Sequence, residues 1–235
     1  MRIVIVSDIH GNLEALSALP EDYDELWVLG DLVNYGPDPA AVIDFVRSKV
    51  VVSVCGNHDY SIGFNQDPRC SDRFREMAEA TRRFTDSVLS FGHKHFLRYL
   101  PPFVETRRGS TRFHICHAVP SDPLFGYCEA ESSQWIKEVE KVDADVILVG
   151  HTHVPALRSI GSCVVVNPGS LGQPKGGSPE ARYAVWEDGE FELKSCPYPF
   201  DTTVAKIQRL PIDVALRNEL STILQTGKIP SVKYS

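Results

Sequence analysis

The stretch RIVIVSDIHGN at residues 2–12 sets the fold. Residues 3–6 are all β-branched and apolar, and the run stops at Ser7-Asp8. Apolar residues at successive positions, not alternate ones, mark a short strand buried on both faces. The polar turn Ser7–Gly11 then lies at the C-terminal end of that strand. Asn12 is placed to cap a helix, and Leu13, Leu16 and Leu19 follow at helical spacing up to Pro20.

The unit repeats. Leu26–Leu29 reads as a strand, Gly30-Asp31 as its exit loop, and Pro39–Arg47 as a helix with Val42, Phe45 and Val46 on one face. Val50–Val54 is a third strand. Strands alternating with helices imply right-handed crossovers and a parallel sheet. Residues 70–99 have a helical pattern with a break at Gly92, offering Phe74, Met77, Ala78, Phe84, Val88, Leu89, Phe96 and Leu97 to the core. After Pro101-Pro102 come shorter strands at Phe103–Thr106, Arg112–Cys116, Val146–Val149, Ala156–Ser159, Cys163–Val166, Arg182–Trp186 and Phe191–Lys194, with a helix over Ser132–Lys141. Asp188-Gly189 is a hairpin signal, so antiparallel pairing enters here. The expected class is α/β, with two mixed sheets packed face to face and flanked by helices. Residues 1–235 are expected to form a single domain, with a helical extension at about 201–225 interrupted at Pro211.

The length of 235 residues, 43% hydrophobic and 23% charged, suits one sizeable core. A net charge of -7 with scattered Lys and Arg argues against stable nucleic-acid binding. Cys55, Cys70, Cys116, Cys128, Cys163 and Cys196 have no C-x-x-C spacing and read as reduced thiols. The opening apolar run is too short for a secretory or transmembrane segment, so a cytoplasmic protein without a membrane partner is expected. The sequence leaves oligomeric state open.

The Asp, Asn and His residues that directly follow the strands are Asp8, His10, Asp31, Asn57, His58, His117, His151 and His153. In an α/β sheet, loops at the C-terminal strand ends converge on the ligand site. Gly30, Gly56 and Gly150 precede three of these loops and permit close backbone approach. Carboxylate, amide and imidazole donors without a thiolate suit Mn, Fe or Zn in a functional site better than a Cys-rich structural zinc site, and the number of donors implies two ions.

The ordered series D-x-H (Asp8, His10), GD (Asp31), GNHD (Gly56–Asp59), His117 and GHTH (Gly150–His153), followed by NPGS at Asn167–Ser170, resembles the calcineurin-like metallophosphoesterases. The resemblance implies their four-layer α/β/β/α sandwich. It also implies that Asp8, His10 and His153 hold one metal, that Asn57, His117 and His151 hold a second, and that Asp31 bridges them. The ions would be two divalent or mixed-valence transition metals, Mn favoured, with a bridging hydroxide attacking phosphorus in line. His58 would contact the phosphoryl group or protonate the leaving oxygen, with Asp59 as its orienting partner. The loops Asn34–Pro37 and Pro120–Tyr127 would border the substrate; Asn34 and Tyr35 are candidate substrate contacts, and Tyr35, Phe125 and Tyr127 candidate base-stacking residues.

The expected activity is a phosphoesterase acting on a small phosphorylated substrate of the phosphodiester or nucleotide type. Protein phosphatase, dinucleoside polyphosphate hydrolase and a non-catalytic scaffold are the alternatives. The presence of His58 argues against the scaffold.

Overall fold

The computed structural model describes residues 1–20 and 22–230. Its first half runs β1 (Arg2–Val6), α1 (Leu13–Ser17), β2 (Glu25–Val28), α2 (Pro39–Lys49), β3 (Val52–Ser53), α3 (Asn57–Phe64), α4 (Asp72–Val88) and α5 (Phe91–Tyr99). The second runs β4 (Phe103–Arg108), β5 (Thr111–Cys116), α6 (Gln134–Val139), β6 (Val146–Leu148), β7 (Ala156–Ile160), β8 (Cys163–Asn167), β9 (Ala181–Glu187), β10 (Glu190–Cys196), α7 (Phe200–Ile207) and α8 (Val214–Thr226).

Two five-stranded sheets result, in the orders β10-β9-β1-β2-β3 and β4-β5-β6-β8-β7. Within them β1, β2 and β3 are mutually parallel, as are β5, β6 and β8, and antiparallel strands complete the edges. Strand alternation divides the core. Ile3 and Ile5 face the second sheet, together with Trp27, Leu29, Phe113, Ile115, Leu148 and Trp186, whereas Val4 and Val6 face α1 and α2. On the far side of the second sheet, Ile147, Val149 and Val165 pack on Trp135 of α6. The expected sandwich of two mixed sheets between helices is therefore observed.

An aromatic chain joins the layers. Trp27 meets Phe113 edge to face at 5.1 Å between ring centroids, and Phe113 meets Trp186 at 5.5 Å. Such pairs add about 0.5–1.5 kcal/mol each beyond their buried area. At the rim, Arg108 of β4 pairs with Glu25 of β2 at 2.8 Å.

Three local expectations are corrected. The third strand is Val52–Ser53, not Val50–Val54: it is an edge strand pairing only along Trp27 and Val28, and Val51 is exposed. The helical interruption falls at Leu89-Ser90, with Gly92 inside α5, because the Ser90 hydroxyl accepts the His93 amide at 3.2 Å and starts a new helix. Val88, offered as a core residue, is 45% exposed at the end of α4.

The C-terminal helices pack against α4 through Met77, Ala78, Ile207, Leu220, Ile223 and Leu224. The Thr203 hydroxyl of α7 also donates to Asn12 and Glu14 near α1. All six cysteines are free thiols, and no helix among the described residues is long and apolar enough to cross a membrane.

Candidate metal centre

Loops leaving the C-terminal ends of β1, β2, β3, β5 and β6 bring Asp8, His10, Asp31, Asn57, His58, His117, His151 and His153 together. They do so under backbone strain: Asp8, His10, Asp31, His151 and His153 all have φ between 49° and 65°. Non-glycine residues occupy that region at a cost and do so at functional sites. Crowding selects glycine nearby. A Cβ on Gly56 would stand 2.1 Å from Asp31 Oδ1, and one on Gly150 1.9 Å from Ser7 Oγ and 2.9 Å from Asp8 Oδ2.

Most of the donor side chains are aimed by a second hydrogen bond. Nδ1 of His10, His117 and His153 donates to the carbonyls of Val33, Leu29 and Gln173 at 3.0, 2.7 and 2.7 Å. A carbonyl only accepts, so the neutral His10 and His153 rings turn their Nε2 lone pairs inward, and His117 turns its Nε2 towards Asp31. The Asn57 amide nitrogen donates to the Pro68 carbonyl at 2.7 Å, which turns Oδ1 towards His117 Nε2 at 3.2 Å. Asp31 Oδ1 accepts the His58 backbone amide at 2.9 Å, at the N-terminus of α3, leaving Oδ2 at 3.2 Å from His117 Nε2 and 3.8 Å from His10 Nε2. Asp8 Oδ2 accepts the His151 amide at 3.1 Å. Asp8 Oδ1, fully buried, has no hydrogen-bond donor among the described residues and faces His153 Nε2 at 3.3 Å.

Two donor groups emerge, Asp8/His10/His153 and Asp31/His117/His151, the atoms of each within 4.8 Å of one another. The Nε2 atoms of His10 and His153 face each other at 3.3 Å. Opposed lone pairs beside an unpartnered carboxylate oxygen are repulsive until a cation lies among them, so the chemistry of the donor set fits metal ions.

Burial lowers His10 and His151 to about 3 and His58 to about 4, keeping these imidazoles neutral. At His117 burial opposes charge, but Asp31 and Asp8 override it and raise the group to about 10. Asp31 in turn is held well below the usual carboxylate range against its own burial, by His117 and His58. A proton between Asp31 and His117, 3.2 Å apart, and a cation held by the same two groups would compete for one place.

The expected partner of His58 is corrected. Asp59 accepts the Leu32 amide at 2.8 Å and the Gly56 amide at 3.0 Å. As the third residue of α3 it caps that helix and braces the Asp31 loop. The His58 ring is oriented by Asn34, whose amide nitrogen lies 2.8 Å from Nδ1. The assignment of Asn34 to the substrate is corrected as well. Asn34 is fully buried behind His58. Tyr35, 5% exposed, lines the cavity in front of the donor groups and makes T-shaped contacts with the His10 and His58 rings, both at 4.8 Å. Phe125 and Tyr127 do line the cavity in front of the donor groups.

The family model of the calcineurin-like phosphoesterase superfamily domain matches residues 1–188. The chain belongs to that superfamily. An uncharacterized protein of Methanocaldococcus jannaschii is 29% identical over 220 residues, covering 85% of this chain and 88% of that protein. Phosphodiesterase YfcE of Escherichia coli is 28% identical over 196 residues, covering 80% and 88%. The crystal structure of a metallophosphoesterase from Sphaerobacter thermophilus matches with a TM-score of 0.78 at 28% identity, covering 94% of this chain and 99% of that one. The expected hydrolase class and fold are met.

Sequence reasoning missed three residues of this phosphoesterase's cavity wall. Cys70 Sγ lies 3.5 Å from His58 Nε2, and Arg69 and Lys175 line the same cavity. Burial lowers Lys175 to about 8. Lys175 had a usable signal, since its loop also leaves the C-terminal end of a parallel strand, β8. Cys70 had none, because the segment 66–70 returns to the site by folding back along α3.

Gly150→Ala is expected to destabilise this phosphoesterase by about 2–3 kcal/mol, the scale of overpacking a rigid interior. The added Cβ displaces Ser7 and, with it, Asp8. Thermal unfolding with and without Mn checks this: the expected result is a lower Tm and a smaller stabilisation by Mn, and a Tm equal to wild type would refute it.

Proposed function

We propose that the chain is a metal-dependent phosphoesterase acting on phosphodiester or nucleotide-type substrates, with two cations held by Asp8, His10 and His153 and by Asn57, His117 and His151, and with Asp31 between them. The observation that carries this reading is Asp8 Oδ1, a buried carboxylate oxygen with no donor among the described residues, beside the inward-facing lone pairs of His10 and His153. Bound divalent cations supply an activated water and neutralise the phosphoryl oxygens. Oxygen and imidazole donors suit Mn, Fe or Zn, and we favour Mn.

The protein's own groups do the rest. Asp31 and His117 hold their positions through the α3 amide and the Leu29 carbonyl. With the Asn34 amide donating to Nδ1, neutral His58 carries its proton on Nε2, beside the cavity residue Cys70. From there it donates a hydrogen bond to the phosphoryl group. The likeness to a protein named a phosphodiesterase, over four-fifths of the chain, favours diesters. Six free thiols suit a reducing compartment, and we place the protein in the cytoplasm.

Protein stripped with chelator and reloaded with Mn is expected to hydrolyse bis(p-nitrophenyl) phosphate faster than p-nitrophenyl phosphate, with no turnover before reloading. Absence of Mn-dependent turnover of both would defeat the reading and favour a binding scaffold on the same fold.

A further inference from the structure

The cavity in front of the donor groups measures about 550 Å³ and includes two cations, Arg69 and Lys175. Both are held by aromatic faces. Lys175 Nζ stands 4.5 Å from the Phe74 ring centroid, and the Arg69 guanidinium lies 4.2 Å from that of Phe125. Several other cations of this acidic chain pair with carboxylates, among them Arg73 with Glu219, Arg108 with Glu25, and Lys206 with Glu14 and Asp38. Among the described residues, no carboxylate oxygen lies within 4.0 Å of the Arg69 guanidinium or of Lys175 Nζ, although the Arg69 backbone amide donates to Asp67 Oδ1 at 2.7 Å.

The Lys175 loop is fixed at both ends. Gly172 donates to the Asp8 carbonyl at 3.0 Å, and the Gln173 carbonyl accepts His153 Nδ1. Two residues beyond Lys175, the Gly177 amide donates to the Gly227 carbonyl at 2.8 Å. The ammonium is thus anchored to the loop that aims a metal-donor histidine, and it is close enough for its charge to act on Asp8 and Asp31. A cation so placed, without a side-chain counter-ion among the described residues and on the wall of the cavity in front of the donor groups, suits a further anionic group.

We propose that Lys175, assisted by Arg69, holds a second phosphate of the substrate, so that the preferred substrate is a nucleotide carrying at least two phosphates, its base against Phe125 and Tyr127. The cavity volume is in the range of sites for ligands of that size. Hydrolysis then breaks one P–O bond; the hydroxyl of water goes to phosphorus and its remaining proton to the leaving oxygen. This inference rests on the phosphoesterase reading above.

The test uses the full chain with Mn in excess and α,β-methylene adenosine diphosphate, whose P–C–P link resists hydrolysis, with adenosine monophosphate as the one-phosphate control. Binding is measured by calorimetry and by competition against bis(p-nitrophenyl) phosphate. Wild type is expected to prefer the two-phosphate ligand by about tenfold or more, the scale of one charge-assisted contact. That preference should shrink to about threefold or less in Lys175→Ala and return in Lys175→Arg. Should Lys175→Ala fold poorly by Tm, Lys175→Gln takes its place. An undiminished preference in the neutral variant overturns the proposal. If the preference depends on Lys175 but bis(p-nitrophenyl) phosphate is not turned over, the subsite stands and the phosphoesterase reading fails. Turnover without the preference removes the subsite and leaves the phosphoesterase reading in place.

Discussion

Asp31→Asn is expected to cost the protein both ions and about a thousandfold in turnover. Its two oxygens have different duties: Oδ1 accepts the His58 amide at 2.9 Å, and Oδ2 lies between His117 and His10. An asparagine that keeps the first bond places an NH2 group where Oδ2 stood, a donor facing the positions the cations take. One that flips its amide instead sets two donors against each other at the α3 N-terminus. Either way the charge shared by the two donor groups disappears, and His117 loses the carboxylate that chiefly holds its proton. Removing one member of a buried charge pair costs about 4 kcal/mol, which is about a thousandfold. The measurements are metal content after equilibrium dialysis and the rise in Tm on adding Mn, which reports binding to the folded state alone. Two retained ions and more than about a tenth of wild-type turnover would remove Asp31 from the bridging position.

The strand-end residues were legible because β1, β2, β3, β5 and β6 all deliver their loops to one edge, whatever the helices do. The glycines were legible for the same reason, and the clash at Gly56 and Gly150 shows why no larger residue fits. What the sequence did not disclose was which neighbour a side chain chooses. Asp59 follows His58 directly, yet successive residues at a helix start point in different directions. Asp59 turns back to the Gly56 amide, and Asn34, 24 residues earlier, reaches the His58 ring. Helix ends shifted for similarly local reasons, as when the Ser90 hydroxyl rather than Gly92 divided α4 from α5. Lys175 and Cys70 depend on how loops fold back over the sheet edge, which hydrophobic periodicity does not encode.

His58→Ala is expected to retain both ions and to lose about 10²–10⁴-fold in turnover, the usual worth of a positioned acid or base. Metal retention follows from geometry. The His58 ring meets Asn34 at Nδ1 and Cys70 at Nε2, while the contact with Asp31 is made by its backbone amide, which alanine keeps. Truncation does leave the buried Asn34 amide without its partner, at a cost of about 1–3 kcal/mol, so a lower Tm accompanies the kinetic loss and must be measured beside it. Asp59→Asn separates the two effects. Its carboxylate serves the Leu32 and Gly56 amides, so that variant should lower Tm and Mn uptake together while the metal-loaded fraction turns over within a few-fold of wild type. The leaving group decides what His58 does. A p-nitrophenolate departs readily without a proton, whereas the alkoxide of a nucleoside needs one. If His58 supplies that proton, its removal costs at least about tenfold more with a nucleoside ester than with a p-nitrophenyl ester. Equal losses on the two would make His58 a phosphoryl-binding group alone, and loss of metal equal to that of Asp31→Asn would place it among the ligands instead.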